Sequence, residues 1–144
     1  MKKLNTLKIT NVYQLVNNGS LAKIEKGKDR YSVIKALRLL KPIAEDYEMN
    51  RVETVKRLRE GHEEECSLLD RMNMRDQSLT PDELIKASKF AEKLSLEVSE
   101  CMEDIANKEH SLDFEPITED AFMGLLEGND WHAEDCMFLE DLLR

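Results

Sequence analysis

His62 and Cys66 stand four residues apart in GHEEEC, residues 61–66, and His132 and Cys136 repeat that spacing in WHAEDC, residues 131–136. On a helix, positions i and i+4 share one face with their β-carbons about 6 Å apart, so two such pairs offer the nitrogens and sulfurs of a tetrahedral zinc site. Other features oppose a split metal site. Gly61 stops a helix just before His62, Cys101 falls on an apolar seam like an ordinary small residue, and short CxxC or HxxxH spacings are absent. HEEEC also departs from the HExxH helix of zinc proteases, because Cys66 occupies the place of the second histidine. No metal and no cofactor is therefore expected, and His62, Cys66, His132 and Cys136 are the candidate ligands if a metal binds.

Other chemistries leave fewer marks. The chain has no glycine-rich dinucleotide or phosphate loop and no GxSxG elbow, and no cysteine or serine has a sequence context that suggests activation, so no enzyme is expected. Glu63-Glu64-Glu65 and Glu134-Asp135 lack the glycine turn and alternating ligands of a calcium loop and read as solvated helix faces. The basic first third, with Lys23, Lys26, Lys28, Arg30, Lys35 and Arg38, could grip phosphates. Its aromatic residues are only Tyr13 and Tyr31, and the net charge is −9, so nucleic-acid binding through Lys23, Lys26, Lys28 and Arg30 is the alternative to a protein partner.

That net charge hides a division. Residues 1–41 hold ten Lys/Arg against two Asp/Glu, and residues 110–144 hold one against ten. The two ends attract, either within one chain or between copies.

The elements that would position these groups are mostly helices, as 41% hydrophobic, 35% charged and few Gly, Pro or aromatic residues suggest. Thr6-Leu7-Lys8-Ile9 alternates like a short strand, and Asn11 with Gln14 suggests the cap of a short helix that ends near Asn18-Gly19. From about Asp29 to near Gly61, Ile34, Leu37, Leu40, Ala44, Tyr47, Arg51, Val55 and Leu58 advance by three or four, with a kink or break expected at Lys41 ahead of Pro42. In LTPDEL, Thr80 caps, Pro81 takes the first helical position and Glu83 completes a capping box. Leu84, Ala87, Ala91, Leu94, Val98, Cys101 and Ile105 then mark a helix of about 27 residues. The two long runs make an antiparallel hairpin, with residues 72–78 as its connection. Leu112, Phe114 and Pro116 read as an extended segment that pairs with the Thr6-to-Ile9 strand. Thr118 caps a short helix that stops at Gly128-Asn129, and Asp130 caps a last one in which Trp131, Met137, Phe138 and Leu142 are available to pack, both helices serving as lids over the hairpin. Met49, Met72, Met74, Met102, Met123 and Met137 read as core filling, with Met72 and Met74 able to face a partner at the hairpin tip.

The expected architecture is thus mainly α: a long antiparallel hairpin kinked at Pro42, short C-terminal helices and a minor two-stranded element, in a single domain spanning residues 1–144. No repeat, low-complexity tract, membrane span or signal peptide interrupts it, and three widely spaced cysteines do not form a disulfide framework, so the cytoplasm is the expected location. Such a chain is expected to work as a protein-protein interaction or assembly protein, self-association included, without nucleic acid or membrane. The order of elements, from DRYSVIKALRLLKPIAEDYEMNRVETVKRL through LTPDELIKASKFAEKLSLEVSE and MEDIA to SLDFEPI and EDCMFLEDLL, resembles a family of small uncharacterised helical proteins of tailed bacteriophages and prophages. The resemblance implies a phage or prophage origin and a role in virion assembly, and carries no functional residues with it.

Overall fold

Asn5 is where the chain turns from strand to helix. In the computed structural model, which describes residues 2–113 and 115–144, Lys2–Asn5 form strand β1 and Thr6–Asn17 form helix α1. The Asn5 side chain accepts a hydrogen bond from the Lys8 N–H at 2.8 Å, capping the first turn. The strand expected at Thr6 to Ile9 is therefore helix, and the cap lies at Asn5, not Asn11. Four alternating residues fit either period. The burial of Ile9, Val12 and Val16 on one helical face decides for the helix.

The expected strand pair does form, four residues earlier on the N-terminal side. β1 pairs antiparallel with β2, Glu109–Leu112, in a register that sets Lys2 opposite Leu112 and Asn5 opposite Glu109. Pro116 lies beyond the strand, and Phe114 is outside the described residues.

Helix α2 spans Gly27–Arg59 and continues through Pro42 without the break expected at Lys41. A proline removes only one donor from a ladder, and Pro42 is on the exposed side. The buried stripe is Val33, Ala36, Leu40, Ala44 and Tyr47, so Ile34 and Arg51, expected on it, point outward, while Val55 and Leu58 are half-buried.

Glu63–Asn73 form a further helix, α3, within what sequence periodicity left between the long runs. Its N-cap His62 makes no side-chain capping bond, so the usual start signal is missing; three glutamates in its first turn instead complement the helix dipole. Helix α4, Pro81–Asn107, matches the expected 27 residues. Its capping box is reciprocal: the Thr80 N–H donates to Glu83 Oε1 at 3.0 Å, and the Glu83 N–H to Thr80 Oγ1 at 3.2 Å. Helices α5, Glu119–Gly128, and α6, Ala133–Leu143, complete the chain. Thr118 caps α5 as expected, but α6 starts from His132 and not Asp130.

Among the described residues helix makes up 73%, with one small antiparallel sheet, so the fold is mainly α with a minor β element. The chain packs as two units, Met1–Glu48 with Ile105–Arg144, and Met49–Asp104. The core of the first joins Ile9, Val12 and Val16 of α1, Val33, Ala36 and Leu40 of α2, Ala121 and Leu125 of α5, and Leu139, Leu142 and Leu143 of α6. The two C-terminal helices are thus walls of that core, not lids over a hairpin. In the second unit Leu68, Leu79 and Ala87 form the buried cluster, with Met72 against it. There the end of α2 runs antiparallel to α4, as Thr54 Oγ1 lies 3.6 Å from Met102 Sδ and Arg57 Nη2 3.9 Å from Cys101 Sγ.

Candidate functional site

The two His-x-x-x-Cys pairs occupy the same position on two different helices. His62 is the N-cap of α3 and His132 the N-cap of α6, and each carbonyl accepts the N–H of its cysteine, at 2.9 Å from Cys66 and 3.1 Å from Cys136. An N-cap residue has non-helical backbone angles, so the shared face that an i, i+4 pair has inside a helix does not apply. The pairs also fall in different units. Among the described residues no three His, Cys, Asp or Glu side chains gather as a metal ion would require.

The first pair has local work instead. Arg59 Nε donates to Cys66 Sγ at 3.3 Å while its Nη2 reaches both Asp70 oxygens at 2.9 Å, joining the last turn of α2 to α3 across the Gly61 turn. These bonds, the one to Cys66 foremost, raise the already high pKa of Arg59. The His62 ring rests against Phe90, centroids 5.7 Å apart. The acidic runs are the first turns of α3 and α6, where negative charge complements exposed backbone N–H groups. Cys66, Cys101 and Cys136 are all free thiols.

Two of the basic candidates are placed beside acids. Lys23 and Lys26 line one hollow with Asp120 and Glu127, and Arg30 Nε is held by the Ile24 carbonyl at 2.7 Å. Lys28 is exposed near the start of α2. Charge from the two ends of the chain also meets at Lys35–Glu115, 3.3 Å, and where Lys2 Nζ donates to the Asp141 carbonyl at 2.7 Å. Burial pulls the Lys2 pKa down, with Asp141 acting against it.

What sequence periodicity missed is a groove of about 450 Å³ between the outer side of α2 and the β2–α5 connection. Tyr31, Lys35, Arg38 and Leu39 form one wall and Asp113, Glu115 and Pro116 the other. Ahead of the groove on α2, buried Asp29 ties that helix to the start of α5: Asp29 Oδ1 accepts the Thr118 hydroxyl at 2.6 Å, and the same Thr118 oxygen accepts the Ala121 N–H as the cap of α5. Ser32 donates to the Asp29 carbonyl at 2.7 Å. Tyr31 is 51% exposed and Ile34 and Leu39 are close to 40%, so the outer side of α2 carries apolar surface among cations. The signal that would have found its α2 wall is the outer helical phase: Tyr31, Lys35 and Arg38 advance by four and three.

The methionines divide similarly. Met102 is buried and Met72 packs against the second cluster, whereas Met49, Met74, Met123 and Met137 are exposed rather than core filling. Among the described residues no helix is long and apolar enough to cross a membrane. No protein-family model matches the chain, and no curated protein or solved structure is significantly similar to it.

Proposed function

We propose that the protein is a non-enzymatic helical assembly protein that binds other protein subunits, copies of itself included, through outward-facing apolar side chains. The observation that carries this is the outer side of α2 in the first unit, where Tyr31, Ile34 and Leu39 stay in solvent although their helix already buries a full stripe on its other side. Singly scattered apolar residues are ordinary, but several beside one groove and among cations are what a protein interface looks like before its partner arrives. The resemblance to small phage and prophage proteins makes virion assembly in a bacterial host the setting.

Light scattering and crosslinking across concentration and salt test it. The expected outcome is a mass above the 16.7 kDa monomer, or a crosslinked partner captured from phage-producing cells by a photoreactive group at Tyr31. A strict monomer at every salt, with no adduct from Tyr31, overturns it.

A further inference from the structure

On α6 the outward face bears the opposite charge to that of α2. Leu139, Leu142 and Leu143 are buried, and Met137, 64% exposed, projects from the other side with Glu134 three residues before it and Asp141 four after. Both carboxylates therefore share the Met137 face, and exposed Phe138 borders it. On α2 the sequence Tyr31, Ile34, Arg38, Lys41 runs from apolar to cationic along one exposed face. Lys35 is engaged by Glu115 on the far wall of the groove, which leaves Arg38 and Lys41 to meet incoming acids, Lys41 also lying 3.7 Å from Glu45.

We propose that these two faces bind each other between copies: the α6 face of one chain, Glu134, Met137 and Asp141, docks on the exposed α2 stripe of a second, Tyr31, Ile34, Arg38 and Lys41. This rests on the assembly function above and names its partner. Charge complementarity selects the occupant: on the α2 face Arg38 and Lys41 outnumber Glu45, which pairs with Lys41, and on the α6 face Glu134 and Asp141 outnumber Lys2, whose Nζ lies at the Asp141 carbonyl. Because the faces differ, the contact is heterologous; it leaves one unused face at each end, and so adds further copies unless the rotation closes a ring.

The test uses full-length chains. Arg38→Glu disables the α2 face and Glu134→Lys the α6 face, and both positions are exposed, so circular dichroism should show unchanged helix content. Each variant alone should associate at least about tenfold more weakly than wild type, because a like-charge contact across an interface costs several kcal/mol. Mixed in equal amounts, they should associate again, because the intact α6 face of one meets the intact α2 face of the other and the two reversed faces carry opposite charges to each other. Should Glu134→Lys disturb the first turn of α6, Met137→Ala removes the anchor without touching that turn and should weaken association in the same direction. Raising salt from about 0.1 to 1 M, which shortens screening from about 10 to about 3 Å, should weaken wild-type association. Wild-type self-association that both charge variants leave unchanged sinks this pairing while assembly stands. A wild-type monomer sinks it too, and the Tyr31 adduct then decides whether the assembly function survives.

Discussion

The two units differ most in what they bury. In the first, Ile9, Val33, Leu40, Leu125, Leu139 and Leu142 are essentially inaccessible and come from four helices. In the second, the buried cluster is Leu68, Leu79 and Ala87, while Leu94 and Val98, on the inner phase of α4, are only half-buried and Ile85 and Leu96 are exposed. Four convergent helices close around the first core; in the second unit two long antiparallel segments and one short helix bury less, and polar bonds help to join them. Arg59 with Cys66 and Asp70, Lys86 with Glu64, and Arg71 with Asp76 do part of that joining. The lesson is that one apolar periodicity gives different burial depending on how many elements meet it.

The comparison breaks most directly by truncating one leucine in each unit. Leu139→Ala should destabilise by about 3–5 kcal/mol, because it empties a fully enclosed site, and Leu68→Ala by only about 2–3, because its surroundings are open enough to relax. Urea unfolding of both variants checks it, and equal losses would mean the second core is as tight as the first.

Glycine substitutions sharpen the contrast at smaller energies. A β-carbon at Gly124 would lie 2.6 Å from Ile24 Cγ1 and 3.1 Å from its backbone, so Gly124→Ala should cost about 1–3 kcal/mol of packing, offset by about 1 of helix propensity. Gly61 meets nothing within 4 Å, but its φ is +81°, so Gly61→Ala should cost about 1–2 kcal/mol through conformation alone. Thermal melts of the asparagine variants separate the causes: Gly61→Asn should recover much of the loss, since asparagine tolerates that conformation, and Gly124→Asn should recover none.

Acid should act on the second unit in the smallest and most local way. In the α3–α4 connection, Asp76 accepts from the Ser78 hydroxyl at 2.6 Å, the Ser78 N–H at 2.9 Å and Arg71 at 2.9 Å, which together lower its pKa from 3.8 to about 2. Bonding from Thr80 also lowers Glu83. A carboxylate depressed in the folded state contributes stability above its unfolded pKa and loses it as pH falls through the folded one. The Ser78 amide should therefore lose exchange protection between about pH 4 and 2, before the Val12 amide of α1 does. Simultaneous loss would show that the connection has no acid sensitivity of its own.

Local chemistry made much of the fold legible. The Thr80-Pro81-Glu83 capping box and the Thr118 cap stand where their side chains require, because a cap depends on groups within one turn. α3 escaped notice because it begins on a histidine that makes no capping bond. The site was less legible than the fold. The His/Cys spacing attracts attention in the sequence, yet both histidines are caps of separate helices, and the groove joins Tyr31, Lys35, Arg38 and Leu39 to Asp113, Glu115 and Pro116, a separation no local pattern spans.

By itself the sequence determined helix content, most helix ends and the opposite charge of the two ends, since these follow from side chains within a few residues or from simple summation. Tertiary structure alone decided which phase of α2 faces inward, that the strand ends at Asn5 and the first helix already begins at Thr6, and that α5 and α6 build a core. Those outcomes depend on which distant surfaces exclude water together, and a helix with apolar residues on two sides cannot choose between them until its neighbours arrive.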